Sequence, residues 1–469
     1  MASTIFRNNL RIQKSFQFNK LFTSSSAKGQ SLVTRNRIPV VEKPVRKNTN
    51  SVFNKGSVTS HQTYFYSQHK SQVKNTGISE SKIIKDGKLV EIFWNDGKKS
   101  NFHSIWLRYN CQCSNCTQPG SGQKKIDNTQ IAHDILLESV DIQDDMVYLK
   151  WKGEIEHQGQ VSLDYLNENS YSEADIIRRH SAVRMTKLAK EIPVVNYTDV
   201  INSKEAVYNW LYQINEYGLC LMKDVPTEEK AFISLANKIG PIQETNYGKT
   251  FSVKSEPNPV NIAYSTEELT LHMDLVYLES PPGLQLLHCL RFDDEVKGGK
   301  STYLDVFHVV EQFKVSHPES FQILTQIPAT FQKCHYEREN PFHLVYQKPH
   351  ITLNDYKEVI GVHWAPPFEG PLLVEEKNVE KYYKAYKDLA QAIHNSDNLL
   401  TYLMKPGDLM TFNNHRMLHG RGEIHLNGGI RHFKGCYVCI DEFKCKVQVL
   451  SNQVGDGQPP IHVGNQSWL

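Results

Sequence analysis

The chain has 469 residues, 39% of them hydrophobic and 22% charged, with a formal net charge of +2. That is the composition of a soluble globular protein with room for more than one domain, and no apolar run reaches the ~20 residues needed to span a bilayer. Of the 53 Lys and Arg residues 13 precede Glu80, against one acid, Glu42, so the remaining body is acidic by about ten charges and poorly suited to nucleic acid.

The first 37 residues, "MASTIFRNNLRIQKSFQFNKLFTSSSAKGQSLVTRNR", contain no acid. Within them "IFRNNLRIQKSFQFNKLF" can wind into a basic amphipathic helix, the composition of a mitochondrial presequence. The alternative is a basic tail on a cytoplasmic protein. Residues 38–80, rich in Ser, Asn, Gln and Lys, read as a flexible linker, so the folded body is expected to begin near Ser81.

There "KLVEIFWNDGKKSNFHSIWLRYN" alternates like two short strands joined by an Asn-Asp-Gly turn. "MVYLKW" and "QVSLDYL" extend a small β-rich unit spanning residues 81–175. A polar connector leads to a second region, residues 190–448, with a C-terminal tail at 449–469. In it "YNWLYQINEYG" and "EKAFISLANKIG" read as helices closed by Gly. "VVEQFKVSHPESFQILTQI" and "VEKYYKAYKDLAQAIHN" also space their apolar residues helically. "LCLMKDV", "LTLHMDLVYL", "GLQLLHCLR", "STYLDVF", "VIGVHW", "DLMTFNN" and "FKGCYVCI" read as strands. Many short strands and few helices, with neither a repeat nor a glycine-rich phosphate loop, predict a mainly β fold: an antiparallel barrel or jelly roll with helical insertions.

The nine cysteines do not form a disulfide framework; Cys111, Cys113 and Cys116 cluster in "NCQCSNC" and the others are scattered among apolar stretches. In a reducing compartment such a cluster points to metal rather than to ordinary loop thiols. A structural zinc site needs a fourth N or S ligand, and His133 and His157 are both within reach along the chain. With four protein ligands the zinc would be closed to chemistry and would staple a domain with a thin core.

"LTLHMDLVYL", residues 269–278, places polar groups on an apolar strand. Alternation would put Thr270, His272 and Asp274 on one face, and burying an imidazole beside a carboxylate is costly unless something pairs them. The bland alternative is a core histidine held by a carboxylate. A third ligand would complete two histidines and one carboxylate, the non-haem Fe(II) arrangement with positions left open for substrate and dioxygen. "KPGDLMTFNNHRMLHGRG" offers His419, 147 residues downstream of His272, with His415 as its rival. Arg431 follows on the next strand and can hold a dicarboxylate bidentately; Arg421, in a turn where arginines are usually solvated, is the weaker choice.

Together "NPVNIAYSTEELTLHMDLVYLESPPGLQLLHCL", "HPESFQIL", "MKPGDLMTFNNHRMLHGR", "RHFKGCYV" and "IWLRYNCQCSNC" resemble the γ-butyrobetaine and trimethyllysine dioxygenase family of Fe(II)/2-oxoglutarate oxygenases, over about residues 85–445. The resemblance implies a double-stranded β-helix (jelly-roll) core plus the N-terminal zinc-binding domain. It implies Fe(II) on His272, Asp274 and His419, 2-oxoglutarate on Arg431, and zinc on Cys111, Cys113, Cys116 and His157. A quaternary ammonium substrate would sit in a cage of Tyr247, Phe251, Tyr264 and Tyr437, since ring faces attract a cation that has no hydrogen bond to give.

Implied too are O2 as cosubstrate, ascorbate as reductant and a homodimer. The reaction implied is hydroxylation of γ-butyrobetaine at C3 to L-carnitine, with succinate and CO2 as co-products; trimethyllysine is the alternative substrate. A catalytically silent scaffold is the reading from another class, opposed by the intact ligand set. Four features depart from the family pattern: Met273 stands between the iron ligands where Thr is usual, Phe251 where Trp is, and Asn413 and His415 where an acid and a Trp are. "GVHWAPP" occupies the place of an Asn pair near the substrate carboxylate.

Overall fold

The computed structural model describes residues 77–461 apart from 155–156, 182–185, 256–261 and 338–339; the basic leader and most of its linker lie outside the described residues. The N-terminal unit consists of two antiparallel three-stranded sheets, Ile78–Ile84, Leu89–Trp94 and Lys99–His103, then Leu137–Gln143, Met146–Trp151 and Gln158–Ser162. Period-two alternation sends Val90, Ile92 and Trp94 from one sheet and Val147, Leu149 and Trp151 from the other into a single core. The Asn-Asp-Gly turn forms where expected, with Gly97 at φ 84. The second strand does not run on through "SIWLRY": it stops at His103, and Ser104–Tyr109 is a helix that delivers the chain to the cysteines.

Two sheets, antiparallel but for one pair of strands, form the body of the second unit. The larger has the order Phe251–Lys254, Arg431–Val438, Leu284–Phe292, Leu409–Asn413, Leu219–Lys223, Val194–Asn196, with only the last pair parallel and Ile242–Gln243 also on Arg431–Val438. The smaller has the order Leu269–His272, Met417–Arg421, Ser301–Asp305, Leu400–Tyr402. The chain passes from one sheet to the other at nearly every connection: Leu269–His272 to Leu284–Phe292 to Ser301–Asp305, and Leu409–Asn413 to Met417–Arg421 to Arg431–Val438. This is the expected jelly roll.

Alternation decides what each face meets. Leu284, Leu286, Cys436 and Val438 point outward into a core with the helices Lys204–Tyr217, Glu229–Ile239 and Ile440–Val454. Their neighbours Gln285, Leu287 and Tyr437 point inward and line a cavity between the sheets. Helix Lys204–Tyr217 ends at Gly218 (φ 83), where a Cβ would lie 2.6 Å from the Met417 sulfur, so the turn into the sheet needs glycine on two counts.

The helical pattern in "VVEQFKVSHPESFQILTQI" is split at Pro318 into Val306–Ser316 and Pro318–Gln326. With helix Glu376–His394 and two hairpins these fill the long insertion between the strands Ser301–Asp305 and Leu400–Tyr402. The last helix reaches Val454, past the expected start of the tail, because Val447 and Leu450 still pack on the core.

Candidate active site and metal centres

His272 and His419 meet because their strands pair in a register that sets the two residues directly opposite, with ring centroids 4.3 Å apart. Asp274 completes a group whose ligand atoms all lie within 4.8 Å of one another. Its Oδ1 is 3.4 Å from His272 Nε2 and its Oδ2 3.9 Å from His419 Nε2. His415, the rival, stays apart: its Nε2 lies 2.9 Å from the carbonyl of Pro281.

The route by which Asp274 arrives differs from simple alternation. The strand ends at His272, residues 274–277 form a turn, and Leu275 takes φ 55. A register shift between Leu269 and His272 also puts both of those residues on the inner side. Thr270 is therefore exposed and does not line the cavity between the sheets; its carbonyl is what matters, because it takes the His272 Nδ1–H at 2.8 Å. A carbonyl can only accept, so this contact fixes a proton on Nδ1 and turns Nε2 toward Asp274.

Asn414 grips the Asp274 backbone from both sides. Its Oδ1 accepts from the Asp274 N–H at 2.8 Å, and its Nδ2 donates to the carbonyls of Asp274 and Pro282, each at 3.0 Å. Nothing in the spacing of "FNNHR" distinguishes this asparagine from its neighbour Asn413, whose Oδ1 caps His415 N at 2.9 Å.

Burial alone would push the Asp274 carboxyl up, but the His272 and His419 imidazoles and the Tyr437 hydroxyl hold it well below the usual carboxylate range. Burial, followed by the neighbouring His272, pushes His419 down to about 3. An ionised carboxylate beside an imidazole that stays neutral is the donor set a divalent cation requires. These three residues fit iron.

The cavity beside this cluster is lined by Tyr247, Phe251, Tyr264 and Tyr437, by Arg431 and Arg421, and by Tyr277, Gln285, Tyr303 and Phe368. All four expected cage aromatics thus face one space. Phe251 stacks on Tyr437 at 5.1 Å, and Tyr247 lies 6.3 Å from Phe251. Phe251 sits across from Gly435 in the sheet, where a Cβ would come within 2.3 Å of its ring; only glycine lets this wall lie flat.

Arg431 is 5% exposed, with its guanidinium carbon 3.9 Å from the Phe433 ring centre and, among the described residues, no hydrogen-bond partner for Nε. Burial, then the nearby Arg421, pushes it down to about 10, still well above neutrality. A buried cation with an unfinished hydrogen-bond set is suited to an anionic ligand. Arg421 is not a solvated turn residue as expected: it ends strand Met417–Arg421, is buried, and donates to the carbonyls of Glu267 (2.5 Å), Ser265 (2.6 Å), Ala263 (3.4 Å) and Ile262 (3.5 Å). It is occupied in holding the segment that carries Tyr264.

Met273 faces away from the cluster, into the core with Val276 and Leu304. From "GVHWAPP" no residue lines the cavity; Phe368, just beyond it, does. Of the cavity residues missed in the sequence, Gln285 left a trace as a lone amide in "GLQLLHCL". Phe368 left none, being held by a 3-10 turn, Pro366–Phe368, without periodicity.

In the N-terminal unit Cys111, Cys113, Cys116 and His157 converge, with all ligand atoms within 4.8 Å of one another. His157 Nε2 is 3.7 Å from Cys116 Sγ, whereas the side chain of His133 is 96% exposed and pairs only loosely with Asp134. Arg108 donates to Cys116 Sγ at 3.4 Å and to Glu154 at 2.7 Å, and Trp151 packs on His157 at 5.6 Å. Burial, then the Arg108 charge, lowers His157, favouring the neutral imidazole that a metal takes. Three thiols and one imidazole in a closed, tetrahedral-sized cluster fit zinc.

Comparison with known proteins agrees with this geometry. Residues 182–437 match the family described as "Taurine catabolism dioxygenase TauD, TfdA family", and residues 81–167 match "Gamma-butyrobetaine hydroxylase-like, N-terminal". The chain is 31% identical over 365 residues to a γ-butyrobetaine dioxygenase from Pseudomonas sp. (strain AK-1), covering 77% of this chain and 93% of that one. It is 26% identical over 392 residues to the human γ-butyrobetaine dioxygenase, covering 81% and 99%. To a trimethyllysine dioxygenase from Meyerozyma guilliermondii it is 30% identical over 397 residues, covering 79% and 96%. A jelly roll enclosing two histidines, one carboxylate and a buried arginine, in a chain so related along most of its length, belongs to the TauD/TfdA dioxygenase family and is a 2-oxoglutarate-dependent dioxygenase.

Proposed function

We propose that the protein hydroxylates γ-butyrobetaine at C3 to give L-carnitine, with succinate and CO2 as co-products, and so serves carnitine biosynthesis. The observation that carries this is the meeting in one cavity of a four-ring cage, the His272/Asp274/His419 cluster and the buried Arg431. Iron bound by those three residues would supply, with 2-oxoglutarate and O2, the oxidant that replaces a C–H bond by C–OH. Arg431 takes the far carboxylate of 2-oxoglutarate in a charge-assisted pair. Tyr247, Phe251, Tyr264 and Tyr437 present ring faces to the trimethylammonium group. Leu269, Leu275, Leu287 and Phe368 keep the cavity wall apolar and exclude water from the reacting carbon.

The test is a panel of γ-butyrobetaine and trimethyllysine, each with Fe(II), 2-oxoglutarate and ascorbate, following succinate and the hydroxylated product. Turnover of γ-butyrobetaine well above trimethyllysine supports the proposal. The reverse order moves the protein to the sister activity, which the 30% identity to a trimethyllysine dioxygenase keeps in play. No succinate with either compound favours the silent scaffold. Arg431→Met should raise the KM for 2-oxoglutarate by roughly 30-fold to a few thousandfold, the ~2–5 kcal/mol lost when a buried charge pair is broken. An unchanged KM would assign the co-substrate elsewhere.

Residues 1–80 are proposed to direct the protein to mitochondria, which import of a fusion to a reporter would test against the cytoplasmic alternative. Zinc on the cysteine cluster and a homodimer complete the proposal; metal analysis and light scattering check them.

A further inference from the structure

Asp274 stands off the strand, in a turn, so its carboxylate has no sheet neighbour to fix its plane. Asn414 secures the backbone but does not touch the carboxylate. Among the described residues the hydroxyl aimed at it belongs to Tyr437, which donates to Oδ2 at 2.7 Å. Tyr437 is itself closely held: it is 3% exposed, lies on strand Arg431–Val438 opposite both Gln285 and Gln243, and has Phe251 stacked on its ring at 5.1 Å and 28°. On the same inner face of this strand lie Arg431, Phe433 and Gly435.

We propose that Tyr437 is a positioning residue for the metal-binding carboxylate as well as a wall of the cation cage, so that one side chain joins substrate recognition to the metal centre. The inference rests on the iron reading of the cluster given above. With its hydroxyl committed to Oδ2, Tyr437 offers the substrate only its ring. The hydrogen bond engages one lone pair of Oδ2 and would hold the plane in which the carboxylate meets a metal. Because the cation and the metal bear on the same side chain, whatever factor by which one alters the affinity of the other applies in both directions.

Tyr437→Phe separates the two roles, since it keeps the ring and removes only the hydroxyl. The full-length protein is titrated anaerobically with Fe(II), following intrinsic fluorescence, with and without γ-butyrobetaine; KM values and the ratio of succinate to hydroxylated product are measured beside it. The expected result is a dissociation constant for Fe(II) raised about 10-fold to 100-fold, the usual cost of losing a partner of a metal ligand. The KM for γ-butyrobetaine stays close to wild type, and more succinate is released per product. Phe251→Leu should do the opposite, raising that KM and sparing Fe(II) affinity. Unchanged Fe(II) affinity in Tyr437→Phe overturns the inference, as does an equal loss in Phe251→Leu, which would make the ring stack, not the hydroxyl, the cause. If the wild-type protein takes up no Fe(II) at all, it is the reading of the cluster that falls.

Discussion

Asp274→Ala and His272→Ala are each expected to reduce 2-oxoglutarate turnover to background while leaving the fold and the zinc content intact. Each substitution takes one of three donors from a site that needs all three to hold iron with its remaining positions open. The fold should survive because the turn is built without the side chains: Asn414 holds the Asp274 backbone and the carbonyl of Pro282, and Met273 N–H donates to the Trp364 carbonyl at 2.8 Å. Succinate release measures the first expectation; circular dichroism, a melting curve and zinc analysis measure the second. Full turnover in either variant would remove the assignment of the cluster.

Loss of the zinc cluster should act on stability rather than chemistry. The N-terminal unit has a small core of its own, around Val90, Trp94, Phe102, Val147, Leu149 and Trp151. Structural zinc contributes on the order of 10–16 kcal/mol of apparent folding free energy in small domains, more than such a core supplies alone. Cys116→Ser or Cys111→Ser is therefore expected to release the metal and open residues 81–167 to protease, with the cleavage sites read by mass spectrometry. Metal uptake expels thiol protons, so zinc retention should weaken as pH falls. A variant that loses zinc yet resists protease at wild-type rates would show that the two sheets stand without it.

Some of this was legible in the residues because it depends on local pattern. Three cysteines within six positions, a His-x-Asp pair in an apolar stretch and an arginine at the start of an inward strand each carry a chemical anomaly that solvent cannot explain. The strand read in "GLQLLHCL" forms, and in the structure its alternation sets Leu284 and Leu286 against the helices and Gln285 and Leu287 toward the cavity. Alternation failed where the backbone stopped being regular. The shift between Leu269 and His272 turned Thr270 outward, and the turn at 274–277 brought Asp274 back by a path that period two does not describe.

The identity of the donors was thus determined by the sequence itself: histidine, carboxylate, thiol and guanidinium are what they are wherever they sit, and their rarity in apolar surroundings marks them. Which of them meet was decided only by tertiary structure. His272 and His419 are 147 residues apart and become neighbours through strand register. His157 rather than His133 folds over the cysteines because the turn after Met146–Trp151 reverses the chain there. Arg421 and Arg431 both line the cavity, but four backbone carbonyls already occupy Arg421. Hydrogen bonding within the fold selects among chemically equal candidates, and no spacing along a chain encodes that competition.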